Sequence, residues 1–205
     1  MSKTTGHRER ATRWRRFAAA MGVSGVLAAA MVFLTANGLL AASFSISGIP
    51  FTVTASELHG TGFEQFATID EVAPGSPNLG DTGGQVVVIV SAIDQATLTN
   101  LCQSVELGGM ALKITAGDSS RKVTARTLVV DSDLITGDAE FRQINIGQDA
   151  STLDKVPGVK GNIGVFGQQA DEVTITNLRQ NNWATTAATF TLPNLRLAFT
   201  TTGGC

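Results

Sequence analysis

Between residues 44 and 56 the chain alternates. Phe44, Ile46, Phe51, Val53 and Ala55 are apolar, and Ser45, Ser47, Thr52, Thr54 and Ser56 stand among them. Period-two alternation sends successive side chains to opposite faces of an extended chain, so this segment predicts a strand with one buried face. Gly48 and Pro50 interrupt it with a turn or bulge. The same signal returns at residues 111–115, 122–130, 141–146, 173–178, 190–192 and 195–200. With much Thr, Val, Ile and Gly, the pattern predicts a mainly-β domain built as a curved antiparallel sheet or a sandwich. Residues 85–90 differ, because Gln85 is followed by four valines and an isoleucine without a break. That run predicts a central or doubly covered strand lying in the core.

One short helix is predicted over residues 91–104, where Leu98, Leu101 and Cys102 fall near one helical face and Ser91 offers a cap with Asp94 three residues on. Residues 71–85 carry Pro74, Gly75, Pro77, Gly80, Gly83 and Gly84, and residues 157–167 hold four glycines; both predict loops. A short echo, V-T-(A/I)-x-x-L, recurs at Val53–Leu58, Val123–Leu128 and Val173–Leu178, with offsets of 70 and 50 residues. Unequal offsets exclude a solenoid of fixed period. They leave chance, or similar strands layered into one sheet and ended by small turns at residues 59–62 and 136–138.

Ahead of the alternating region lie twenty residues, 17–36, without a charged side chain. As a helix rising about 1.5 Å per residue they would span roughly 30 Å, the thickness of a bilayer core. Lys3, Arg8, Arg10, Arg13, Arg15 and Arg16 precede them against Glu9 alone, a bias that keeps the N-terminus in the cytoplasm. The expected organisation is therefore a cytoplasmic basic segment at 1–16, a transmembrane signal-anchor at 17–43 and an extracytoplasmic β-domain at 44–205. A cleaved signal peptide is the alternative, with Ala41, Ala42 and Ser43 as small residues for a peptidase; length favours the anchor. The first reading puts the protein in the cytoplasmic membrane and the second secretes it, with the same domain exported in both.

Beyond the basic start the chain holds 9 basic and 16 acidic residues, a balance of −7. An acidic domain repels phosphate, which argues against nucleic acid as a partner. Both cysteines, Cys102 and Cys205, fall in the exported part, where oxidation is permitted. A Cys102–Cys205 disulfide is expected. Closing so long a loop is worth about 4–5 kcal/mol in the loop-entropy model. The alternatives are two free thiols or an intermolecular bridge through Cys205.

Catalytic chemistry finds little to work with. His7 and His59 are the two histidines, so His59 is the one candidate base outside the basic start, and it reads as a turn residue in His59-Gly60-Thr61-Gly62. No G-x-S-x-G sequence marks a nucleophile elbow. Glu57 and Glu64 are formal candidates for paired acids in sugar cleavage. Asp131, Asp133 and Asp138 are formal calcium ligands without the spacing of an EF-hand loop. Solvated carboxylates explain both sets more simply. No zinc set and no phosphate-binding glycine loop are present, so no catalytic, cofactor or metal residues are assigned.

The stretches FTVTASELHGTGF at residues 51–63, LCQSV at 101–105 and TFTLPNL at 189–195, with the basic anchor and Cys205, resemble an uncharacterised actinobacterial family of membrane and secreted proteins. Many of its members carry the label cholesterol esterase. That label implies an ester hydrolase, which the absent nucleophile elbow speaks against. The resemblance also implies a small multi-span membrane protein as a partner. Together these readings predict a non-enzymatic cell-envelope β-domain that binds lipid or another hydrophobic ligand. A structural protein docking on a membrane partner is the second expectation, and an esterase using His59 the third.

Overall fold

The computed structural model describes residues 45–201 and 203–205. The basic segment and the anchor expected at 1–43 lie outside the described residues. Among the described residues no helix is long and apolar enough to cross a membrane.

Four long strands organise the domain: β1 (Phe51–Glu71), β2 (Gln85–Thr99), β5 (Val123–Arg142) and β7 (Phe166–Thr186). Five shorter ones accompany them: β3 (Leu101–Glu106), β4 (Ala111–Ala116), β6 (Asn145–Asp149), β8 (Thr189–Thr191) and β9 (Arg196–Thr200). β1 pairs with β2, β2 with β5, β5 with β7 and β7 with β1, all antiparallel. The cycle returns to its start. A curved sheet was expected, and its curvature runs far enough that these four strands close a ring and cover each other's edges. β3, β4 and β9 continue from β1 as a wing.

The ring has two apolar layers. Val53, Leu58, Phe63, Ile93, Leu98, Leu128, Val130, Val173 and Leu178 form the inner cluster. Phe66, Val88, Val90, Ala92 and Val129 form the outer one, beneath Ala150, Leu153, Val156 and Val159 of the β6–β7 connection. That connection is tied down by named bonds. The Asp149 carboxylate accepts from the Ser151 and Gly164 amides, Glu64 Oε1 accepts from the Val156 amide at 2.7 Å, and Gln169 Oε1 accepts from the Asp154 amide.

Interruptions in the strands decide which side chains face in. The β1–β2 ladder passes from Thr61–Gln95 to Phe63–Ile93, and the β2–β5 ladder from Ile93–Leu128 to Gln95–Arg126. Opposite the skipped Asp94 stand Gly62 and Thr127, both with left-handed backbone (φ 65° and 46°). The alternation changes phase across this row, so Ile93 and Ala96, three apart, both enter the inner cluster. Asn177 (φ 55°) and Asn100 (φ 54°) mark similar breaks. The recurring V-T-(A/I)-x-x-L acquires a physical basis: with a phase break inside the motif, the odd step of five from Val to Leu brings Leu58, Leu128 and Leu178 inward with their valines.

Several expectations need correction. Residues 91–104 are strand, split between β2 and β3 at Asn100, and the short helix α1 lies instead at Leu79–Thr82 inside the predicted 71–85 loop. Phase breaks explain the error, since apolar spacings of three at Ile93–Ala96 and Leu98–Leu101 imitate a helical face. Of the 85–90 run only Ile89 and Val90 are flanked by strands on both edges, since residues 85–88 pair with β1 alone, and its cover is one-sided: Val88 and Val90 are buried while Val87 is 70 % exposed. Residues 59–62 and 136–138 are not turns but lie within β1 and β5. Gly60 fits there because a Cβ would stand 2.5 Å from Ile93 Cγ2. The strand expected at 141–146 spans the end of β5 and the start of β6.

Candidate functional site

The inner layer does not fill the ring. Val53, Leu58 and Phe63 of β1, Ile93 and Leu98 of β2, Leu128 and Val130 of β5 and Ile175 of β7 surround a cavity of about 330 Å³. That volume lies in the range of small-molecule sites, roughly 300–1,000 Å³. None of the lining residues carries a formal charge.

One wall is polar. Pairing of β7 with β5 shifts between Asp131–Ala184 and Ser132–Asn182, so Trp183 is an extra residue, a bulge. Trp183 and Ala184 pack in an outer cluster with Ile46 and Val72, whereas Asn182 and Thr185 on either side of them line the cavity. Asn182 is 1 % exposed, and its Oδ1 has no hydrogen-bond partner; neither has Thr185 Oγ1. Gln103 and Gln180 also border the space. Gln65 and Ser91, elsewhere on the lining, satisfy one another: Gln65 Nε2 donates to Ser91 Oγ at 2.9 Å, and Gln65 Oε1 accepts from Gln168 Nε2.

The cavity communicates with the surface. An open groove of about 530 Å³, bordered by Ile46, Phe51 and Trp183, shares Gln103, Thr185 and Phe190 with it. Along the β1–β2 hairpin, Ile89 of the lining is followed on the same face by the register pair Ile69–Val87, 56 % and 70 % exposed. An apolar strip therefore leads away from the cavity.

A model of a known family matches residues 47–205, which span the ring and the wing. The chain belongs to the Family of unknown function (DUF6230). No curated protein and no solved structure matches it.

In this DUF6230 chain the residues singled out from sequence are dispersed. Cys102 of β3 and Cys205 form a disulfide across a separation of 103 residues, with Cα atoms 5.8 Å apart. Such a bond belongs with an oxidising compartment. Cys205 is also held by its amide, which donates to Ser104 Oγ, and by its carbonyl, which accepts from Arg179. His59 lies mid-strand with Nδ1 3.1 Å from Thr174 Oγ1, away from the cavity lining. Glu57 pairs with Lys122 at 2.8 Å, which holds its carboxyl below the usual range. Glu64 is fully buried, and burial raises its pKa. Seven residues of extended chain separate them by about 20 Å, beyond the roughly 5–10 Å that paired glycosidase carboxyls require.

The calcium candidates have separate partners too. Asp133 accepts from Asn181 and from the Trp183 indole, and Asp138 from Asn177. Asp131 sits beside Asp70, and burial pushes its pKa up to about 7. Asp70 Oδ2 is buried without another partner, so a proton kept on Asp131 satisfies both carboxyls. Among the described residues no three potential ligands are grouped to hold a metal. Sequence reading missed Asn182 and Thr185 because a β-bulge, invisible in a polar N-N-W-A-T-T stretch, turns them to the same side.

Proposed function

We propose that this domain is a non-enzymatic carrier or receptor for a small hydrophobic ligand, held inside the ring on the outer side of the cytoplasmic membrane. The cavity of about 330 Å³ carries the reading, because its aliphatic walls offer an apolar molecule the burial that water does not. The exposed Ile69–Val87 pair supports it by giving such a molecule an apolar path at the rim. The disulfide supports the extracytoplasmic setting, which also suits a lipid as the ligand. Solvent extraction of the purified native protein followed by mass spectrometry tests the proposal. A lipid recovered near one per chain is the expected result, and repeated recovery of none, with no uptake of added lipid, would refute it.

A second reading has its own observation. On the edge strand β9, Leu197 and Phe199 are 60 % and 63 % exposed on one face, continued by Leu195. This supports docking on a neighbouring multi-span membrane protein through the wing. Crosslinking from residue 197 in native membranes tests it; crosslinks confined to lipid would count against it.

A further inference from the structure

The polar wall narrows the class of ligand, on the premise that the cavity is a ligand site. We propose that it takes a neutral amphiphile with a free hydroxyl group, seated so that the hydroxyl meets Asn182 and Thr185 and the apolar tail lies among Ile93, Leu98 and Leu128. Three observations lead there.

Asn182 Oδ1 and Thr185 Oγ1 are buried without hydrogen-bond partners. Orphaned polar atoms in a folded interior are rare and destabilising, and two on one cavity wall mark a place where another molecule supplies the missing bonds. Asn182 Oδ1 accepts only, whereas the Thr185 hydroxyl donates or accepts. A hydroxyl is the smallest neutral group able to donate to the first and accept from the second.

The bulge at Trp183 is the second observation. It breaks the β5–β7 ladder at the position that brings Asn182 and Thr185 to the inside, while Trp183 and Ala184 pack outside. A regular strand would have sent one of the two polar side chains out to solvent.

Third, the lining holds no charged residue. A fatty carboxylate would be desolvated with no cation facing it and would set its charge against Asn182 Oδ1. An ether or alkane of the same length would leave the Asn182 acceptor unpaired. Thr185 also borders the open groove, so the head lies toward the mouth and the tail enters the aliphatic part of the ring.

The test uses displacement of N-phenyl-1-naphthylamine, a neutral apolar fluorophore, from the purified protein by 1-decanol, methyl decyl ether and decanoate. Wild type is expected to release the fluorophore at a roughly tenfold lower concentration of 1-decanol than of the ether or of decanoate. In Asn182→Leu with Thr185→Val the alcohol and the ether should come within about threefold of each other while the fluorophore still binds. Equal potency of the three compounds on wild type overturns the proposal and leaves the ligand site standing, as does a double variant that keeps the preference. Failure of wild type to bind the fluorophore saturably overturns both. Should the double variant not fold, Thr185→Val alone and the wild-type ranking decide the matter.

Discussion

The two sides of the ring wall each carry an apolar layer, and the two layers are treated differently. On the outside, Phe66, Val88, Ala92 and Val129 are sealed by Leu153 and Val156, both almost wholly buried, from a connection anchored at Asp149, Glu64 and Gln169. On the inside, Leu58, Ile93, Leu128 and Val130 face a space that no segment of the described chain fills. Interiors normally pack to the density of organic crystals, and an empty apolar space forfeits dispersion contacts. A chain that spends about ten residues closing its outer face has the means to close its inner one with larger side chains. The open interior is accordingly a property of the fold that a ligand can use.

If the outer layer is packed and the inner one is not, substitutions should separate them, and the largest effect belongs outside. Leu153→Ala should destabilise the domain by about 3 kcal/mol, because a completely buried side chain leaves a hole among fixed neighbours. Urea unfolding measures this, and a loss under about 1 kcal/mol would show that the connection is a loose cover.

Asp131 gives the next effect, as the polar element between Val90 and Ala184 on the packed side. Its folded pKa of about 7 lies above the ordinary 3.8, so folding takes up a proton across that window. Stability from this group should be full below about pH 4, fall as pH rises and level off above about 7. Asp131→Asn should flatten the decline and raise stability by about 2 kcal/mol at pH 8 with little change at pH 4. Some slope should remain, since burial raises Asp70 and Glu64 as well. An unchanged difference in urea midpoint between pH 5 and pH 8 would contradict the assignment.

Inside the ring, Val130→Phe adds a ring to unfilled space and should alter stability by less than about 1 kcal/mol in either direction, against the 1–3 kcal/mol that overpacking costs in a filled core. The smallest effect is reserved for the surface. Glu57→Gln removes the half-exposed ion pair with Lys122 and should cost less than about 0.5 kcal/mol, fading with added salt.

Much of the strand content was legible from alternation alone: 111–115, 122–130 and 195–200 fall on β4, β5 and β9. So was the pairing of the only two cysteines. The helix misplaced at 91–104 shows what alternation hides, because a phase break replaces a spacing of two by one of three. The same breaks underlie the V-T-(A/I)-x-x-L echo, whose physical basis lies in the left-handed backbone of Thr127 and Asn177, a conformation that the residue types do not announce. The cavity was not legible. Inward-facing Leu, Ile and Val announce a core, and whether that core is full depends on how four strands close and how far their walls stand apart. Asn182 and Thr185 were hidden for a related reason, since a single inserted residue decides the face on which each one lies.

The most direct test of the open interior is a fluorescence titration of the native domain with N-phenyl-1-naphthylamine, run beside Val130→Phe, which obstructs the cavity, and Lys155→Ala, which alters only the outer connection. One saturable site is predicted, weakened at least about tenfold by Val130→Phe and unchanged by Lys155→Ala, a loss that corresponds to about 1.4 kcal/mol of binding. Absence of saturable binding, or equal binding by all three proteins, would contradict the account.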